Sequence, residues 1–291
     1  MLVITTPTGQ IGRQLVDGLL DGEEPVRVIV RDPARLPAHV RDRVEVVQGS
    51  HRHLDVVMDA FAGADAVFWV VPPDPRAENV EGHYVDYTRS ACQAIAARGV
   101  ERVVAVSTMG RGIEKNAGQL SASLAKDRMI MDTGVHYRAL QPPAFMENLL
   151  WQVAAIRDQG AFYWPQPGDR VVASVATRDI AAKATELLLD RSWSGQEGVP
   201  VVSPDALSFD GMAQVLSEVL GRPVRYQQLP VDTYRATMLE HGASEAWAQG
   251  LVDMALAQIK DAYDEDHRVA SPGPTTFRQW CEEVLRPAVL A

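Results

Sequence analysis

Cysteine is almost missing from this chain. Its 291 residues hold two, Cys92 and Cys281, far apart and each inside a helix-like pattern. They read as buried thiols, not as a disulfide framework, and the expected compartment is the cytoplasm. No basic, apolar leader opens the sequence, which turns polar soon after Leu2-Val-Ile4. No apolar run approaches the roughly 20 residues of a membrane-spanning helix. Positive charge is in deficit, with 28 Lys and Arg against 38 Asp and Glu and a net charge of −10. That argues against nucleic acid and anionic membranes as partners. It does not oppose an anionic small molecule held locally by amides and one or two arginines. Linkers, repeats and low-complexity tracts are also lacking. What remains is an ordinary globular composition, long enough for one large domain or a domain with a smaller lobe.

The richest stretch is the start. Leu2 to Ile4 is an apolar run, Thr5-Thr-Pro-Thr-Gly9 a small-residue turn, and Ile11, Leu15, Leu19 and Leu20 share one face of a following helix. Strand, tight turn and helix form a phosphate-binding corner, because a helix N-terminus offers free N–H groups and a partial positive charge. Gly9 and Gly12 let backbone approach an anion and let the helix pack on the strand. The second strand, Pro25 to Val30, ends in Arg31-Asp-Pro33. An acidic side chain at this strand end accepts from a ribose 2′-hydroxyl, whereas an arginine accommodates a 2′-phosphate. Arg31 therefore favours NADP(H) over NAD, while Asp32 with Pro33 reads as a turn starter.

Strands and helices then alternate. Strands are expected at Val44 to Gln48, Ala66 to Val71, Arg102 to Ser107 and Tyr137 to Leu140, with helices at 53–61, 77–98 and 122–133. The pattern predicts an α/β fold with a doubly wound parallel sheet, Rossmann in type. After Pro143 the rhythm loosens into helices at 146–158, 179–189, 209–220, 231–263 and 275–285, with extended pieces at 170–175, 199–203 and 224–229. Residues 1–143 are read as the NADP-binding Rossmann domain and 144–291 as a smaller α/β substrate lobe built on the same sheet edge. Asp179 is expected to cap the helix it opens.

Thr8-Gly-Gln-Ile-Gly12, Arg31-Asp-Pro33, Gly99-Val-Glu-Arg-Val-Val104 with Ser107, Lys126, Pro142-Pro-Ala-Phe-Met-Glu-Asn148, Thr177-Arg-Asp-Ile-Ala181, Gly221-Arg-Pro-Val224 and Thr276-Phe-Arg-Gln-Trp280 follow one another in an informative order. Together they resemble the NmrA-like family of the atypical short-chain dehydrogenase/reductase superfamily, over nearly the whole chain. The resemblance implies NADPH-dependent reduction of quinones, azo dyes, triphenylmethanes or phenylpropanoids, or redox sensing without turnover. Four positions depart from the family pattern. Thr6 replaces its first glycine and Pro7 stiffens that turn; Gly49-Ser50 stands for Gly-Asp; Leu140-Gln-Pro142 stands for Leu-Arg-Pro. Ala122 occupies the place of the tyrosine in Tyr-x-x-x-Lys, ahead of Lys126.

The resemblance thus implies cofactor contacts from Thr6, Thr8, Gly9, Gln10, Ile11, Gly12, Arg31, Val71, Pro72, Lys126, Pro143 and Phe145. Lys126, Ser107 and Tyr84 are the catalytic candidates: the ammonium orients the ribose or stabilises charge, and Ser107 hydrogen-bonds a substrate oxygen. As a cleft lysine, Lys126 is expected to be replaceable by Met without loss of the fold. Tyr84 and Tyr87 also read as core aromatics. Phe145, Met146, Tyr163 and Trp164 are candidate walls of a pocket for a flat aromatic substrate. His136 and Tyr137 open their strand at its amino end, away from chemistry, and no metal site is expected. Three functions stay open: a reductase of an aromatic or quinone-like molecule, an NADP-binding sensor, and a cofactor-poor relative catalysing isomerisation or cyclisation. The expected state is monomer or homodimer.

Overall fold

Runs such as Ala66–Trp69 are apolar at every position because helices cover both faces of the strand. In the computed structural model, which describes residues 1–110, 113, 115–260 and 271–291, six strands form the first part of one parallel sheet. They are β1 (Leu2–Thr5), β2 (Val26–Val30), β3 (Glu45–Gln48), β4 (Ala66–Trp69), β5 (Arg102–Val106) and β6 (His136–Gln141). Leu2 pairs with Val26 on one side and Ala66 on the other. The chain therefore reverses its winding between β1 and β4, and such a switch point opens a crevice at the carboxyl edge.

One face is covered by α1 (Gln10–Leu20) and α7 (Thr177–Leu189), whose Leu15, Leu19, Ile180 and Ala184 are buried with Ile4, Val28 and Phe68. The other is covered by α3 (Leu54–Ala60), α4 (Val80–Arg98) and α5 (Gln119–Met131), packed on Val3, Val67, Trp69 and Val103. Asn79 caps α4 by accepting from Gly82 N–H at 2.8 Å, so that helix starts three residues later than its pattern suggests. Gly99 closes it at φ +67°.

The second half of the chain does more than lie over the open edge. β10 (Gln196–Val202) pairs in parallel with β6, and β13 (Ser271–Pro272) with β10, giving eight strands in the order β13-β10-β6-β5-β4-β1-β2-β3. β10 begins earlier than its apolar segment predicted, because Gln196 and Glu197 are exposed yet laddered to Tyr137 and Arg138. Beside the sheet stand β11 (Ala206–Ser208), β9 (Val171–Val175) and β7 (Ala144–Phe145) as one small sheet, and β12 (Arg225–Gln228) with β8 (Ala161–Trp164) as another. They enclose an aromatic core with Phe162, Phe209, Phe277 and Trp280. The long helix expected over 231–263 is two, α9 (Val231–Glu240) and α10 (Glu245–Ile259), and residues 261–263 lie outside the described residues. Among the described residues no helix is long and apolar enough to cross a membrane.

A buried carboxylate ties α7, which lies on the main sheet, to the last helical segment. Glu147 accepts from Thr177 N–H at 3.1 Å, from Thr177 Oγ1 at 2.8 Å and from Trp280 Nε1 at 3.2 Å. It therefore caps α7 from outside that helix. Asp179, expected in this role, instead accepts from Thr275 N–H and Oγ1 at 3.2 and 2.7 Å and anchors the last helical segment. Cys281 is fully buried, and Cys92 is partly so, its thiol donating to the Met129 carbonyl.

Candidate dinucleotide and substrate site

The turn after β1 has the shape an anion needs, with an unexpected residue holding it. Thr6 sits at φ +52°, the left-handed region that strains a β-branched side chain. Its carbonyl accepts from Gly9 N–H at 3.0 Å. A Cβ added to Gly12 would stand 2.0 Å from that same carbonyl oxygen, so α1 can seat on the turn only with glycine there. A Cβ at Gly9 would lie 3.4 Å away, an ordinary contact. Gln10 is exposed, Thr6 and Thr8 are half-buried, and the Ile11 side chain packs into the core, leaving its backbone for a ligand. Glycine at Gly9, where the turn itself tolerates a side chain, leaves the outer face open. The corner fits a dinucleotide's phosphates through the first-turn N–H groups of α1.

Arg31 is exposed at the end of β2, and its guanidinium makes no hydrogen bond among the described residues. Asp32 accepts from Ala34 N–H at 3.0 Å and caps the short turn Pro33–Arg35, the role expected of it. Behind Arg31 lies a group that sequence reasoning missed. His51 is buried edge-on to Trp69 and Tyr87, with ring centroids 5.0 and 4.8 Å away, and its Nε2 donates to the Val70 carbonyl at 2.9 Å. Burial pushes its pKa down to about 4 against the opposing effect of that hydrogen bond, and the Arg31 charge adds to the lowering. His83 Nε2 donates to the Pro72 carbonyl at 2.9 Å, and Thr5 Oγ1 accepts from Val70 N–H at 3.0 Å. Side chains thus pin the exit from β4, with Val71 buried and Pro72 half-buried at the switch point. Tyr87 is a buried aromatic whose hydroxyl meets Ser50 Oγ at 3.3 Å.

The catalytic candidates fall into two places. Lys126 and Ser107 come together, but around a third residue that was not anticipated. Asp127 receives the Ser107 hydroxyl on Oδ2, and on Oδ1 the Tyr137 hydroxyl at 2.6 Å and the Lys126 ammonium at 2.5 Å. Lys126 also donates to the Val106 carbonyl at 3.1 Å and is 1% exposed. It is an interior lysine, so the expectation that Met could replace it without harm to the fold does not hold. Tyr137, dismissed for its position at the strand's amino end, reaches this cluster with its ring. Burial, and then the Asp127 charge, raise its pKa well above the ordinary phenol value. The signal available in sequence was an acid at helical spacing between Ser123 and Ile130 on a buried face.

Tyr84 stands apart from that cluster. It packs against Val80, Ala122 and Trp247, beside the alanine that replaces the superfamily tyrosine. Its hydroxyl makes no hydrogen bond among the described residues, and burial pushes its pKa up to about 12. On the far side of β6, Pro143 is buried and the Pro142 carbonyl accepts from Met109 N–H at 3.3 Å. Gln141 is buried with its amide pressed on Gly198. Directly after Pro143, Ala144 and Phe145 form one wall of a cavity of about 350 Å³. Phe145, Met146, Phe162, Trp164, Phe209 and Phe277 make it apolar and aromatic, and Asn148, Gln166, Arg170 and Gln258 add polar groups. Tyr163, expected in this wall, turns away and donates to Gln159 Oε1 at 2.7 Å, because alternate strand residues face opposite sides.

Residues 7–191 match the model of a family described as NAD(P)H-binding. The chain belongs to that family. A (4-alkanoyl-5-oxo-2,5-dihydrofuran-3-yl)methyl phosphate reductase of Streptomyces griseus is 33% identical, covering 97% of this chain and 97% of its own. An NAD(P)H azoreductase of Xenophilus azovorans is 30% identical over 88% of this chain and 87% of its own. The NADPH-dependent quinone oxidoreductase QOR2 of Escherichia coli, solved with NADPH, shares the fold at a TM-score of 0.80 and 22% identity, covering 96% of this chain and 98% of that one. The chain is thus a member of an NAD(P)H-binding family with oxidoreductase relatives, and the Rossmann sheet expected from its first strand and turn is the fold it has.

Proposed function

We propose that this NAD(P)H-binding chain is an NADPH-dependent reductase of a conjugated, aromatic or quinone-like small molecule. The observation that carries the reading is the cavity walled by Phe145, Phe162, Trp164, Phe209 and Phe277, which starts at the residues leaving β6 on the ligand edge of the sheet. The azoreductase and quinone oxidoreductase names of its relatives point the same way. When bound, the reduced nicotinamide supplies a hydride. The chain's own part is binding and orientation. The α1 N-terminus and Gly9 receive the phosphates, Arg31 faces the 2′-phosphate, and Val71, Pro72 and Pro143 shape the crevice. Tyr84 keeps its proton at neutral pH and serves as a hydrogen-bond donor.

The test starts with titration of the protein with NADPH and NADH by fluorescence. A charge-assisted contact to the 2′-phosphate is worth about 1.5–3 kcal/mol, so NADPH should bind at least about tenfold tighter. Arg31→Ala should erase most of that preference; equal affinities in the unaltered protein would refute the role of Arg31. Loss of reduced-nicotinamide absorbance on adding quinones or azo dyes then tests turnover. The inward-turned Lys126 favours a second reading, binding without turnover, and tight NADPH binding with no acceptor reduced would select it.

A further inference from the structure

Ser107 occupies the carboxyl end of β5, where its backbone N–H donates to the Leu140 carbonyl at 2.7 Å and its side chain faces α5. Its hydroxyl has one proton, and that proton goes to Asp127 Oδ2. The direction of this bond is not a free choice. Asp127 also forms an ion pair with the Lys126 ammonium at 2.5 Å, and a carboxylate in an ion pair only accepts. The other oxygen is filled by Tyr137 and Lys126, so the cluster is complete without a ligand.

We propose that Ser107 meets its ligand as a hydrogen-bond acceptor, that Asp127 is the positioning residue which fixes this polarity, and that the ligand group seated there is an N–H or O–H donor. The inference rests on reading the carboxyl edge as the cofactor and substrate site. It reverses the usual expectation for a serine at this strand end, which is to donate to a substrate oxygen. A quinone carbonyl or an azo nitrogen, carrying only lone pairs, finds no donor in Ser107. Two sources supply the required chemistry: the carboxamide N–H of the nicotinamide, and a phenolic or hydroquinone O–H on the substrate or product. Ser107 as a residue keeps 8% of its surface exposed.

Binding measurements separate these sources without any turnover. The first pair is NADPH and its 3-acetylpyridine analogue, in which a methyl ketone replaces the carboxamide and removes the N–H donor. The second is a hydroquinone and its dimethyl ether. One neutral hydrogen bond corresponds to about a three- to tenfold difference in affinity. The unaltered protein is expected to prefer the donor-bearing member of one pair by that factor, and Ser107→Ala to remove the preference in the same pair. Asp127→Asn can turn an amide N–H toward Ser107, which frees the serine proton and inverts the preference. Should Asp127→Asn fail to fold, the Ser107→Ala comparison still decides. A Ser107→Ala protein that keeps both preferences, or an unaltered protein that shows neither while binding NADPH, overturns the inference alone. An unaltered protein that binds no NADPH overturns the reading of the edge and the inference with it.

Discussion

The phosphate corner and the Asp127 cluster stand on the same carboxyl edge of one sheet, yet one is made of backbone and the other of side chains. In the corner, Thr6, Gly9 and Gly12 are close neighbours in sequence, and what they do follows from φ angles and the room for a Cβ. In the cluster, Ser107, Lys126, Asp127 and Tyr137 come from a strand end, a helix and a neighbouring strand, and what they do follows from who receives whose proton. The corner tolerates exposure because its ligand completes it. The cluster is satisfied internally, so removing Lys126 or Asp127 leaves a buried charge behind.

That contrast is open to attack at several strengths. The largest effect is expected from Lys126→Met, which leaves the buried Asp127 carboxylate without its cation. Breaking such a pair costs about 3–5 kcal/mol, measured by urea unfolding. A variant as stable as the parent would show that the cluster is not held by charge. In the corner, Gly12→Ala must displace the Thr6 carbonyl and should cost up to about 3 kcal/mol together with most cofactor binding. Gly9→Ala should stay within about 0.5–1 kcal/mol in stability. Equal effects of the two alanines would remove the steric account of the turn.

Between the two regions stands His51, whose pKa is lowered from 6.5 to about 4 by burial. A histidine that is neutral when folded binds protons more readily when unfolded. Stability is therefore untouched above pH 6.5 and falls as pH drops from about 6.5 toward 4, by up to about 3 kcal/mol. In His51→Gln, which retains a donor for the Val70 carbonyl, the urea midpoint should fall less over that range. An unchanged pH profile would place another group behind the acid sensitivity. A small effect is also expected at Thr6. Replacing it with glycine relieves about 1–2 kcal/mol of left-handed strain and adds about 0.5–1 kcal/mol of chain entropy to lose, a net gain of under about 1.5 kcal/mol. If Thr6→Gly is less stable than the parent, the threonine side chain makes contacts that outweigh its strain.

Legibility followed the same division. β1, the turn and α1 were readable because an apolar run, small residues and a 3.6-residue period are local properties. Asp32 as a turn former and the six first strands were readable for the same reason. The inward direction of Lys126 was not, since an exposed and an interior helix lysine look alike until the strand carbonyl of Val106 and the Asp127 carboxylate are placed beside it. β10 escaped in part because its first residues are polar and owe their strand to β6. Asp179 and Glu147 exchanged the capping role because the acid nearer in sequence was drawn to Thr275.

By itself, the order of residues determined the Rossmann-type sheet, the reversal that opens a crevice beside β1, and a glycine corner suited to a dinucleotide. Backbone geometry and periodic burial act over a few residues, so the chain carries them in plain view. Only the tertiary structure decided that Ser107 gives its proton to Asp127, that His51 is held neutral behind Arg31, and that five aromatic side chains from four elements enclose one cavity. Those outcomes depend on desolvation and on hydrogen-bond partners 19 or 20 residues apart, and distance in sequence says nothing about either.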